Sequence, residues 1–144
     1  MGVMNSMQIG LQGLNAHGRR IEISAKNIAN LDTPNYVRKI SVLKAEEDNP
    51  FSTFLNTNTS IPGDNSIVGG VSFTGTVQDP TPQEKVYMPG HPDADEDGFV
   101  KMSNVDPLVD IADAKMAQRA YEASITVMSM AKTMAQRALE IGGA

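Results

Sequence analysis

The sequence predicts an α+β chain. Long N- and C-terminal helices are expected to pair as an antiparallel, coiled-coil-like hairpin around a small β-rich insert. Three observations carry that expectation. Apolar residues recur at alternating intervals of three and four at both ends of the chain, which is the spacing of one helix face. Six of the 8 prolines fall within residues 41–105, so helix breakers concentrate in the middle. Charge divides along the same lines, with a net +3 over 1–40, −7 over 41–105 and −1 over 106–144. The expected segments are an N-terminal assembly helix over 1–32, an insert over 33–105 and a C-terminal assembly helix over 106–144.

The first helix is read from Met4, Met7, Leu11, Leu14, Gly18, Ile21, Ala25 and Ile28, a heptad seam of nearly four repeats. Gly10, Gly13 and Gly18 each weaken an isolated helix by about 1 kcal/mol relative to Ala. Asn30 is placed to cap the helix, and Pro34 stops it from continuing. In the insert, Tyr36–Leu43, Val68–Val77, Lys85–Met88 and Phe99–Met102 carry the β-branched and aromatic residues of strands. Residues 49–70 are rich in Asn, Thr, Ser, Pro and Gly and are expected to form a flexible loop. Asp106 followed by Pro107 reads as an N-cap and a first-turn proline. Met116, Ala120, Ala123, Val127, Met130, Met134, Arg137 and Ile141 continue at heptad spacing, and Gly142 ends the helix. A helix from Pro107 to Ile141 would be roughly 50 Å long. It needs a partner along its length, and the N-terminal helix offers a matching seam.

Composition narrows the function. The chain has 144 residues and a net charge of −5, which argues against nucleic acid as the main partner. It has no cysteine and only two histidines, His17 and His91. A disulfide scaffold, a thiolate zinc site, a Cys nucleophile and a multi-histidine metal site are thereby excluded. No apolar run approaches the length of a membrane span, and residues 1–10 lack the features of a cleaved secretory signal. Aromatics make up 5% and methionine contributes 9 residues. Small and flexible apolar side chains of this kind suit helix-on-helix seams. No P-loop, dinucleotide fingerprint or catalytic constellation is present, so the chain is not expected to be an enzyme and no cofactor is expected.

One motif suggests ion chemistry. Asp93, Asp95, Asp97 and Gly98 match the first half of an EF-hand loop, with Val100 at its apolar position. The twelfth position is Asn104 instead of a bidentate glutamate, and Pro89-Gly90-His91-Pro92 cannot form the incoming helix. An acidic turn feeding a strand is the favoured reading. A calcium-dependent binding module is the alternative, and a helical-hairpin adaptor that never polymerises is another.

Two stretches carry a family resemblance. Ala29-Asn30-Leu31-Asp32-Thr33-Pro34-Asn35-Tyr36 resembles the Ala-Asn-x-x-Thr-Pro-Gly-Tyr signature of bacterial flagellar rod and hook proteins. Asn35 stands where that signature has Gly, and Asn also tolerates positive φ. Tyr87 to Asp95 (with Pro89 and Gly90), Gly98-Phe99-Val100 and Asn104-Val105-Asp106-Pro107 resemble flagellar basal-body rod proteins of the proximal-rod FlgC type. Arg119-Ala120-Tyr121-Glu122-Ala123 and Ala138-Leu139-Glu140-Ile141-Gly142 extend that similarity. The resemblance implies a structural subunit of the periplasmic rod, the drive shaft that transmits torque. It implies terminal helices that self-associate in the rod and an insert that forms its outer part. Implied partners are other rod proteins, the adaptor to the membrane ring and the type III export apparatus, without a cleaved signal peptide. Small-molecule substrates, nucleic acid and metal are not implied.

Overall fold

A computed structural model describes residues 2–45 and 69–142 of the chain. The expected loop 49–70 lies outside the described residues except for Gly69 and Gly70, as do Val68 and the side chain of Met4. Six elements follow in order. They are α1 (Gly2–Ala29), β1 (Lys39–Ala45), β2 (Val71–Gln78), β3 (Lys85–Tyr87), β4 (Phe99–Lys101) and α2 (Pro107–Gly142). The architecture is therefore α+β, with a helix at each end and short antiparallel strands between them.

The helix ends are set by the residues that the sequence marked. The Asn30 side-chain amide donates to the Lys26 carbonyl at 2.7 Å, satisfying one of the orphan carbonyls at the end of α1. The chain then turns through Thr33, Pro34 and Asn35. Asn35 adopts φ +60°, the left-handed conformation that a Gly or Asn accepts most easily. This turn delays β1 to Lys39 instead of Tyr36. At the start of α2 the Asp106 carboxylate accepts the Leu108 and Val109 N–H groups at 2.9 and 3.4 Å, with Pro107 in the first helical position.

The strands form two small sheets, β1–β2 and β3–β4. Beyond the first pair, the Asp79 N–H donates to the Arg38 carbonyl at 2.9 Å, so β1 begins where β2 ends. In the second pair Lys85, Val86 and Tyr87 face Lys101, Val100 and Phe99 in antiparallel register. Val100 is fully buried, while Tyr87 and Phe99 meet edge to face on the exposed side with ring centroids 5.3 Å apart.

The chain folds as two compact units. One comprises the described residues within Met1–His17, Leu43–Phe73 and Ala120–Ala144, and the other Gly18–Val42 and Thr74–Arg119. Each unit contains a stretch of both helices, and in each the two stretches run antiparallel. In the first unit Gly10 lies against Met128 and Gly13 against Ser124. In the second the Arg20 guanidinium pairs with Asp113 at 2.9 Å and the Asn27 amide with Asp110 at 3.0 Å.

The faces that meet differ from the expected seams. On α2 the buried positions are Asp110, Ala117 and Ala131, with Ser124 and Met128 half-buried. Met116, Ala123, Val127, Met130, Met134 and Ile141 are exposed, and Ala120 is half-buried. On α1 the buried positions are Gly10, Ala16, Ile23, Ser24 and Asn27. Met7 and Leu11 are exposed, whereas Leu14, Ile21 and Ile28 are half-buried. One residue along a helix rotates a side chain by about 100°, and a one-residue offset separates the α2 stripe from the covered face. The reason lies in side-chain size. Gly, Ala and Ser let two backbones approach closely, and Met128, the larger side chain on the covered face of α2, fits because it lies over Gly10. Two of the three glycines that weaken α1 as an isolated helix, Gly10 and Gly13, lie where it meets α2 closely. A Cβ on Gly10 would fall 2.5 Å from Met128 Cγ, and one on Gly13 would fall 2.8 Å from Ser124 Oγ.

Candidate functional site

Two features stand out: a buried polar node in the second unit, and the apolar helix faces that the chain leaves open.

The node starts from Asn27, fully buried on α1. Its amide has two donor and two acceptor sites, and all four are used. Nδ2 donates to the Lys39 carbonyl at 2.8 Å and to Asp110 Oδ1 at 3.0 Å. Oδ1 accepts the Tyr36 hydroxyl and the Lys39 N–H, both at 3.0 Å. Arg38 lies beside it. Its Nε and Nη2 fork onto the two oxygens of Asp110 at 2.9 and 3.3 Å, a bidentate geometry that fixes both partners. Nη1 donates to Asp79 at 2.9 Å. The Arg38 backbone N–H donates to Asn104 Oδ1 at 2.7 Å, and Asn104 Nδ2 donates to the Thr81 carbonyl at 2.8 Å. Asp113, 3.9 Å from Arg38 and bonded to Arg20, extends the network along α2.

At the charged groups of this node, hydrogen bonds and ion pairing outweigh burial. The side chains of Arg38, Asp79 and Asp110 are 12%, 13% and 2% exposed. The Asp110 carboxylate, bonded to the guanidinium, holds Arg38 protonated beyond its ordinary range. The Thr81 hydroxyl and N–H, followed by Arg38, pull Asp79 down to about 2. Burial, followed by the nearby Asp110 charge, pushes the Tyr36 phenol up.

Of the family-motif residues, Asn30, Thr33, Pro34, Tyr36 and Asn104 bond within this node or shape the turn after α1. Thr33 bonds to Asn30 at 3.2 Å, Pro34 and Asn35 form the turn, and Tyr36 closes onto Asn27. Val105 is buried just before α2. Gly98 has φ +79°, and a Cβ there would sit 3.0 Å from the Tyr87 ring and 3.2 Å from Pro89. Ala29, Pro89, Gly90, Arg119 and Glu122 are exposed, and Tyr121 is half-buried. Sequence reasoning missed Asn27, Arg38, Asp79 and Asp110. The available signal was a polar residue falling on a helix position that becomes buried, and the chosen seams ran one position away.

The Asp93–Asp97 turn is organised from within. Asp95 Oδ1 accepts the N–H groups of Asp97 and Phe99 at 3.2 and 2.8 Å, and Asp93 lies 3.7 Å from His91. Among the described residues no three His, Cys, Asp or Glu side chains gather as metal ligands. Asp95 thus serves the turn that enters β4, and no arrangement favours the calcium module. No described helix is long and apolar enough to cross a membrane.

The open faces are apolar. Met130, Met134 and Ile141 on α2 are 61%, 65% and 81% exposed, and Met116, Val127 and Leu139 are exposed as well. In the first unit an open groove of about 260 Å³ runs between Met7, Gln8, Leu11 and Met128. These apolar side chains recur at helical spacing and stay uncovered by the described residues of the chain.

Comparison with known proteins agrees with this layout. Residues 7–36 match the family described as flagella basal body rod protein. Residues 96–141 match the C-terminal region of the flagellar basal body rod FlgEFG proteins. The chain is 33% identical over 152 residues to the flagellar basal-body rod protein FlgC of Bacillus subtilis, covering 99% of each. It is 33% identical over 153 residues to that of Borreliella burgdorferi, covering 98% of each. It is 30% identical over 148 residues to that of Salmonella typhimurium, covering 99% of each. Identity at this level over the whole length, with the signature turn and the two terminal helices in place, shows that the chain belongs to the FlgC family of flagellar basal-body rod proteins.

Proposed function

We propose that this chain is a proximal-rod subunit that assembles through the open faces of its terminal helices into the periplasmic shaft that transmits torque. The observation that carries this reading is the apolar stripe on α2. Met116, Ala123, Val127, Met130, Met134 and Ile141 keep heptad spacing yet are exposed. Apolar residues at that spacing suit a neighbouring helix. On α1, Met7 and Leu11 supply a similar open face. Neighbouring subunits would be copies of this chain or other rod proteins with helices of the same kind. The adaptor to the membrane ring and the type III export apparatus are the further partners that this reading calls for. The role is mechanical and not catalytic.

Ala123→Glu tests it. Ala123 is exposed, so the substitution should change the stability of the free chain by less than about 0.5 kcal/mol. In a rod it would place a carboxylate in a desolvated seam, at a cost of several kcal/mol. Cells carrying only this variant should export the protein yet assemble no rod and fail to swim. Normal swimming would overturn the proposal.

A further inference from the structure

The residue that fixes the base of the insert on the helix pair can be identified within the second unit. β1–β2 and β3–β4 are two-stranded sheets, and an isolated pair of strands is marginally stable in water. Most of their side chains are exposed: β1 buries none fully, and among the described strand residues Val100 is the fully buried one. Apolar packing therefore gives the base of the insert little to define a single orientation. The hydrogen bonds that reach the helices from β1 and the Tyr36 turn end on Asn27 and Asp110.

Arg38 makes the widest set of contacts. Its side chain joins Asp110 on α2 to Asp79 just past β2. Its backbone N–H holds Asn104 from the segment between β4 and α2. Its carbonyl takes the Asp79 N–H. Arg38 thus holds three other segments at 2.7–3.3 Å, two of them through its planar, rigid fork. A guanidinium bound at both ends of its fork constrains direction as well as distance, which a point charge does not. We infer that Arg38 is a positioning residue that makes the orientation of the β1–β2 base on the α1–α2 pair single-valued. The inference concerns the free chain and does not rest on the rod reading. In a rod subunit, such a joint would pass load between insert and helices.

The test uses the full-length chain and residual dipolar couplings measured by NMR. In the parent protein a single alignment tensor should fit the amides of Pro107–Arg119 together with those of Lys39–Val42 and Thr74–Gln78. Arg38→Met alone would strand the buried Asp110 charge, so it is paired with Asp110→Leu, while Asp79 keeps its bonds to Thr81 and Asn27 keeps its bond to the Lys39 carbonyl. In this double variant the helical circular dichroism should persist. The strand amides should need a second, weaker tensor, and the Lys39 and Asp79 amides should exchange about tenfold faster. If the double variant does not fold, Arg38→Lys takes its place. Lysine keeps the charge but cannot hold both carboxylates, and the same divergence of tensors is expected with little change in melting temperature. A folded variant of either kind whose strand and helix amides still fit one tensor of parental magnitude would overturn the inference.

Discussion

A single amide side chain illustrates how this fold uses polar chemistry. Asn27 is fully buried with four hydrogen bonds, and removing it leaves the Lys39 N–H and carbonyl and the Tyr36 hydroxyl short of partners in a dry site. Asn27→Leu should therefore lower unfolding free energy by about 3 kcal/mol. Urea titration measures this directly, and a loss below about 0.5 kcal/mol would mean that water replaces the amide at little cost. Asn35 gives a second case. At φ +60°, Asn35→Gly should be neutral or slightly stabilising, whereas Asn35→Val should cost about 1–2 kcal/mol because a β-branched residue resists that conformation. Asp79 sets the acid response. Its folded pKa is about 2 against an ordinary 3.8, so its contribution is present above pH 4 and lost as pH falls toward 2. Between pH 5 and pH 2 the urea midpoint of the parent should fall more steeply than that of Asp79→Asn. Parallel curves would show that Asp79 is not depressed.

At the scale of the helix, small residues and large ones divide the work. Gly10 and Gly13 face Met128 and Ser124, and a side chain at Gly10 must displace the Met128 side chain or push the helices apart. Gly10→Val should destabilise the chain by about 1–3 kcal/mol, even though valine in place of glycine favours an isolated helix. A thermal melt that rises instead would show that α1 and α2 do not approach closely there. The same division explains what could be read in advance. Both helices, their Asn30 and Asp106 caps and the four strands were legible, because each rests on local chemistry: a cap, a proline, a run of β-branched residues; the turn at Asn35 was suggested only by the resemblance to the family signature, which has Gly there. The seam was harder. Apolar spacing identifies a stripe on a helix but does not say what covers it. In this chain the larger apolar stripe on α2 faces away from α1, while the covered face holds Gly10, Gly13, Ala117 and Ala131, with Asn27 and Asp110 among them. The node was illegible for a related reason. Arg38, Asp79 and Asp110 are far apart in sequence, and nothing local marks an arginine that will find two carboxylates.

For the whole molecule, the question is whether the helix pairing of the free chain is the pairing of the assembled subunit of the basal-body rod. The structure offers a direct probe. A Cβ on Gly13 would lie 3.6 Å from Ser124 Cβ, inside the range that a disulfide spans, and the chain has no cysteine to interfere. The double variant Gly13→Cys, Ser124→Cys should form the bond readily in the purified protein. The bond closes a loop of about a hundred residues, so oxidation should add roughly 2–4 kcal/mol of stability and raise the melting temperature. Failure to oxidise would mean that the helices do not meet in this register. The cellular outcome follows from the same geometry. If the pairing persists in the rod, cells with this as their only copy should swim equally well with and without a reductant, since the bond merely holds what is already in place. If swimming is lost under oxidising conditions and returns with reductant, the pair must open before the subunit docks. In that case the closely packed glycine face of α1 would itself become part of the contact between subunits.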